Sequence, residues 1–140
     1  MNPRAKILLV DDDASFVESN KELLEAYDFE VFIAYDGSSG LELAKNVKPD
    51  LMVLDVMMAG KPEGFEIARK IPKTEELQNM KVLLVTGFAK EMKLTKKLEP
   101  DEEWLPVDRV MEKPINPGRF INEIEKLLQS PGRTRCNATF

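Results

Sequence analysis

Histidine is absent from this 140-residue chain. It therefore has no imidazole of its own to act as a general base, to bind a metal or to carry a phosphoryl group, and any such group must arrive on a partner. Cysteine is nearly absent too, and the single Cys136 excludes a disulfide framework or a zinc cluster. It sits in Ser130-Pro-Gly-Arg-Thr-Arg-Cys-Asn-Ala-Thr-Phe140, a stretch with neither helical nor strand period, so residues 130–140 are expected to form a disordered tail with a solvated thiol. Long apolar runs are missing. Before three consecutive aspartates the N-terminus has only Ile7-Leu-Leu-Val10, too short for a signal peptide or a membrane span, which places the expected protein in the cytosol. Positive charge is in deficit: the net charge is −5 and no basic run is visible, so no nucleic-acid partner is expected.

What is present fits an ordinary globular domain, with 43% hydrophobic and 32% charged residues around one core over residues 1–129. Five short apolar runs read as strands: Lys6 to Val10, Glu30 to Ala34, Leu51 to Asp55, Val82 to Thr86 and a weaker Arg109 to Glu112. Helical spacing separates them. Phe16, Val17, Leu23, Leu24 and Tyr27 share a broad face in the first helix; Leu41, Ala44 and Val47 do so in the second, where Ser39 and Glu42 are spaced as a capping box. Further helices are expected over about 65–71 and 90–98. The last helix carries Phe120, Ile121, Ile124, Leu127 and Leu128 behind Asn116 as N-cap and Pro117 as first helical residue.

Strand and helix thus alternate five times, and Leu51-Met-Val-Leu54 is apolar on both faces, as in a parallel strand covered by helices on each side. The expected fold is an α/β five-stranded parallel sheet, doubly wound, with flavodoxin-like order 2-1-3-4-5. In such a sheet ligands bind beyond the carboxyl ends of the strands, near the point where strand order reverses.

Polar residues fall at just those ends. Asp11, Asp12 and Asp13 follow the first strand, Asp55 ends the third, Thr86 ends the fourth and Lys113-Pro114 follows the fifth. Crowded carboxylates repel, and a hard divalent cation relieves them; Mg²⁺ takes oxygen ligands, whereas Zn²⁺ would ask for the histidines and cysteines this chain lacks. Phosphoryl transfer asks little more of a protein than a nucleophile and neutralised equatorial oxygens. Asp55 offers the nucleophile, Lys113 and a cation the charge, Thr86 a hydroxyl, and Gly87 the space for entry. Each segment alone also has a plainer reading: Asp11-Asp12-Asp13 as a helix N-cap, for which Asp13 is placed, with two solvated neighbours; Asp55 as a turn residue; Thr86 as a β-former; and Lys113-Pro114 as a loop open to a cis proline.

Together Leu8-Leu-Val-Asp-Asp12, Leu51-Met-Val-Leu-Asp55, Val82-Leu-Leu-Val-Thr-Gly87 and Lys113-Pro114 resemble the response-regulator receiver domain of two-component signalling, over roughly residues 5 to 129. The resemblance implies Asp55 as phosphoacceptor, Asp11, Asp12 and Asp55 with the Met57 carbonyl as ligands of Mg²⁺, and Thr86 and Lys113 as phosphate contacts. It implies a sensor histidine kinase or histidine phosphotransfer protein as donor and an unknown downstream protein as target, with no output domain expected after residue 129. It also implies a switch rather than an enzyme, catalysing only its own phosphorylation and dephosphorylation. Two rivals stand beside it: a degenerate receiver serving as a docking module, and a haloacid-dehalogenase-like phosphatase with Asp11 as nucleophile.

The chain departs from the family in several places. Val110 stands where an aromatic residue is usual three positions before the lysine, and Pro100-Asp-Glu-Glu-Trp104-Leu-Pro106 reads as an insertion in which Trp104 is expected to pack into the gap, the alternative being a place in a partner interface. The loop after Asp55, Val56 to Gly64, is one residue longer than is usual in the family, with Ala59 where a proline is common. Bulky Met57 and Phe88, two places after Asp55 and Thr86, lead us to expect slow self-dephosphorylation.

Overall fold

The structure, a computed structural model, describes residues 4–58, 60–87 and 105–130. Its elements in chain order are β1 (Lys6–Val10), α1 (Ala14–Ala26), β2 (Glu30–Ala34), α2 (Gly37–Val47), β3 (Leu51–Asp55), α3 (Glu63–Lys70), two 3₁₀ turns (Ile71–Lys73 and Glu75–Leu77), β4 (Lys81–Thr86), β5 (Arg109–Glu112) and α4 (Pro117–Gln129). All strand pairs are parallel, in the order β2-β1-β3-β4-β5.

Strand periodicity decides which side chain goes to which face. Ile7 and Leu9, Leu51 and Val53, and Leu83 and Val85 point to one side, where Val17 and Leu24 of α1 and Phe120, Ile121, Ile124 and Leu127 of α4 close the core. Leu8 and Val10, Met52 and Leu54, and Val82 and Leu84 point to the other, against Ala44 of α2 and Ile67 and Ala68 of α3. The three central strands are buried on both faces, which is why they read as continuous apolar runs. Leu105 and Val107, at the end of the apparent insertion, are also fully buried in the α2 and α3 side of the core. Asp108 then ties this segment down, its carboxylate accepting from Val82 N at 2.7 Å while its own N–H donates to Val82 O at 2.9 Å.

Two close approaches position α2 and α3. A Cβ at Gly40 would come within 2.8 Å of Val10 Cγ2, and one at Gly64 would overlap the Asp55 carbonyl oxygen and lie 2.7 Å from Val56 Cα. Only glycine lets these helices sit so near the sheet. The Gly64 N–H also donates to Val56 O at 2.8 Å, locking the start of α3 to the segment after β3.

Four local expectations are corrected. α2 starts at Gly37 with Asp36 as N-cap, its carboxylate accepting from Ser39 N at 2.8 Å, so Ser39 lies inside the helix and Ser39–Glu42 is no capping box. The helix is capped again from outside its own segment, since Glu63 Oε1 accepts from Gly37 N at 2.9 Å. Tyr27 is the C-cap of α1 and exposed, not part of its buried face. α3 spans Glu63–Lys70 rather than 65–71, because the chain tightens into a 3₁₀ turn at Ile71-Pro72. β4 begins one residue earlier than its apolar run, at Lys81. The expected helix over 90–98, Trp104, Ala59, Phe88 and the tail lie outside the described residues.

Candidate functional site

β1 and β3 are adjacent yet their following helices leave on opposite faces of the sheet, so the carboxyl ends of these strands border the crevice where strand order reverses. Asp11 and Asp55 stand there, 2% and 5% exposed. Asp12 is exposed beside them, and one carboxylate oxygen from each of Asp11, Asp12 and Asp55 lies within 4.8 Å of the others.

Asp13 takes no part in this cluster. It is the N-cap of α1, its carboxylate accepting from Phe16 N at 3.2 Å, while its N–H donates to Asp11 Oδ1 at 2.9 Å. The aspartate triplet thus divides between a cap and a site. The turn holds Asp11 in one orientation.

Lys113 enters from the opposite side of the crevice. Its backbone N–H donates to Thr86 O at 2.9 Å, continuing the β4–β5 pairing one residue past the strand, and the next peptide bond, to Pro114, is cis. Its ammonium donates to Asp11 Oδ2 at 2.9 Å and lies 3.6 Å from Asp55 Oδ1. Both Asp11 oxygens are therefore engaged, one by backbone and one by Lys113. The same ammonium sits 4.4 Å from the centroid of the Phe16 ring, a neighbour that the sequence placed only in the apolar face of α1.

Thr86 is buried at the end of β4, and a side chain at Gly87 would meet nothing within 4 Å among the described residues, which leaves this flank open. Met57 is half-buried and packs against the α2 and α3 side of the core. Beyond it the backbone folds on itself, with Met58 and Lys61 exchanging N–H···O bonds of 2.9 and 3.0 Å about Gly60, whose φ is +73°. Val110 is half-buried opposite Leu84, one strand residue from the site edge, where its small side chain packs on the α2 and α3 side of the core.

The electrostatics follow from this crowding. Burial, reinforced by the negative charge of Asp11, pushes the Asp55 carboxyl up to about 7, and the Lys113 charge only partly offsets it. At Lys113 burial acts to lower the pKa, but the bond to Asp11 and the charges of Asp11 and Asp55 outweigh it and leave the ammonium above its ordinary value. One lysine does not neutralise three carboxylates. The site retains a demand for positive charge with oxygen ligands, and the residues present fit a hard divalent cation such as Mg²⁺.

Known proteins share this sequence pattern and fold. The family model of the response regulator receiver domain matches residues 7–125. The chain is 34% identical over 124 residues to the transcriptional regulatory protein CpxR of Escherichia coli K12, covering 89% of this chain and 49% of that protein, so it spans about half the length of that relative. It is 33% identical over 100 residues to PilH of Pseudomonas aeruginosa, covering 71% of this chain and 75% of PilH. Among solved structures, a CheY-like receiver domain from Methanospirillum hungatei superposes with a TM-score of 0.70 at 26% identity, over 91% of this chain and 94% of that one. CheY4 of Vibrio cholerae, at 23% identity, shares the fold with a TM-score of 0.72, over 88% of this chain and 98% of that one. Among the described residues no helix is long and apolar enough to cross a membrane. The fold, the acidic crevice with its lysine and the family model that spans most of the chain agree: this chain belongs to the response regulator receiver domain family of two-component systems.

Proposed function

We propose that this domain accepts a phosphoryl group on Asp55 from a phosphohistidine of a sensor kinase or histidine phosphotransfer protein, and that this changes the surface it offers a downstream protein. The observation that carries the reading is the placement of the Lys113 ammonium at 2.9 Å from Asp11 and 3.6 Å from Asp55, the two carboxylates that cluster with Asp12 at this strand edge. Asp11, Asp12, Asp55 and the Met57 carbonyl would hold Mg²⁺. When bound, that ion supplies positive charge to the equatorial phosphoryl oxygens.

This chain's own residues do the rest. An Asp55 carboxylate oxygen attacks phosphorus as the P–N bond to the donor imidazole breaks, and the imidazole leaves with the bonding electron pair. Lys113, already at the carboxylate, meets the negative charge of the incoming group, and the Thr86 hydroxyl donates a hydrogen bond to it. No histidine is present in these 140 residues, so the donor phosphohistidine lies outside them. Asp11, with both oxygens occupied, is a poor nucleophile, which weighs against a phosphatase acting through it. With Met57 lying against the core beside Asp55, slow hydrolysis of the acyl phosphate is expected.

The test is intact mass after incubation with acetyl phosphate and Mg²⁺, beside Asp55→Asn and EDTA controls. The expected result is a gain of one phosphoryl group that requires both Mg²⁺ and Asp55. No gain with the fold intact would mean a docking module instead. Steady donor hydrolysis blocked by Asp11→Asn but not by Asp55→Asn would mean a phosphatase.

A further inference from the structure

Lys113 has a third neighbour that the phosphoryl-transfer reading does not use. An ammonium carries three N–H donors. Here one is spent on Asp11 Oδ2, and Asp55 Oδ1 attracts the charge from 3.6 Å. A further close neighbour among the described residues is an aromatic ring: the Nζ lies 4.4 Å from the Phe16 centroid. The ring face is the negative pole of the aromatic quadrupole, and a cation within about 6 Å of it is attracted.

Phe16 is well placed to act as a fixed wall. Its backbone is pinned in the first turn of α1, where its N–H donates to the Asp13 cap at 3.2 Å. Its ring is half-buried and packs against the α1 and α4 side of the core, as does Ile115 of the segment following Lys113. The lysine side chain, by contrast, is 26% exposed and flexible, and leaving the site for water would cost it two carboxylate contacts but gain solvation. A ring seated against the core limits that escape.

We propose that Phe16 is the positioning residue for Lys113, its ring face holding the ammonium over Asp11 and Asp55 so that the lysine is in place when a phosphoryl group arrives. This rests on the reading of Asp55 as phosphoryl acceptor. Phe16 touches no reacting atom; it acts through Lys113. What it contributes is an aromatic face, so leucine of similar bulk does not replace it and tryptophan, the stronger π partner, does.

Phosphorylation by acetyl phosphate at saturating Mg²⁺ is followed by intact mass in wild type, Phe16→Leu and Phe16→Trp, with thermal melts of each. Phe16→Leu is expected to slow the rate about three- to tenfold, and Phe16→Trp to restore it to within about twofold of wild type. In metal-free wild-type protein, the Lys113 ε-methylene protons are expected upfield of their usual position through the ring current, and they return to it in Phe16→Leu. The proposal is overturned by equal rates in wild type and Phe16→Leu, by equal slowing in both variants, which would make the role one of packing, or by Lys113 shifts at their usual position in wild type. The last measurement stands even if neither variant folds. A wild type that takes up no phosphoryl group would remove the reading of Asp55 itself, whereas a normal wild type with an unaffected leucine variant would remove only the role of Phe16.

Discussion

Asp55 carries a cost that comes from its buried, acidic setting. A carboxylate whose pKa rises from 3.8 to about 7 on folding binds its proton more tightly in the native state than in the unfolded chain. Between those values the native state holds the extra proton, so stability falls as pH rises from about 4 to about 7 and stays reduced above it. At about 1.4 kcal/mol per pKa unit the loss approaches about 4 kcal/mol at most. Asp55→Asn has no such titration. Urea unfolding from pH 4 to 8 is expected to show the variant gaining on the wild type through this window and exceeding it by up to that amount above pH 7; a constant difference would refute the assignment. Adding Mg²⁺ at pH 8 is expected to raise the wild-type melting temperature, and to raise that of Asp55→Asn less, because binding to the native state alone stabilises it. The Lys113 shift lies in the alkaline range and does not disturb this window.

At the scale of elements, what brings Asp55 to a defined place is the closeness of α3 to the end of β3. The Gly64 N–H bonds Val56 O, and its missing side chain lets the helix start rest against the Asp55 carbonyl. Glu63, its neighbour, reaches across to cap α2. Gly64→Ala forces a methyl group into backbone that has no rotamer to yield, so it is expected to destabilise by about 1–3 kcal/mol, read as a lower urea midpoint, and to disturb the amide resonances of Val56 and Met57. Ala is the better helix former at an exposed site, so a stabilised variant would show that α3 stands further from the sheet. Four strands were legible to the residue and β4 to within one, because short apolar runs bounded by polar residues have little other reading. The start of α2 was not: Asp36 and Ser39 both suit an N-cap, and what chose between them was the packing of Gly37 and Gly40 against Ile67 and Val10.

Across the whole molecule, one buried lysine joins parts of the chain far apart in sequence. Lys81 opens β4, and its ammonium donates to Leu127 O at 2.6 Å, Ser130 O at 2.8 Å and Ser130 Oγ at 3.1 Å. It thus supplies the end of α4 with the cation and donors that a helix C-terminus lacks. Lys81→Met keeps the bulk and removes the donors. It is expected to cost about 1–3 kcal/mol and to speed amide exchange at Leu127–Ser130 while leaving α1 protected. Unchanged exchange there would mean that the helix end is held by its own Ser130 contacts alone.

The sequence by itself determined the sheet, the identity of its apolar faces and the residue types gathered at its carboxyl edge. Strand burial on both sides and the order of acidic, hydroxyl and ammonium groups are written locally, within runs of a few residues. Asp13 and Asn116 were legible as caps for the same reason, since a cap serves amides two or three residues away. Only the tertiary structure decided which of three adjacent aspartates is buried, that Phe16 stands beside Lys113 rather than merely in the core, that Glu63 serves α2 and that Lys81 serves α4. Each of these joins residues 26 to 97 positions apart, or depends on such a junction, and no spacing rule within one element encodes a contact of that range.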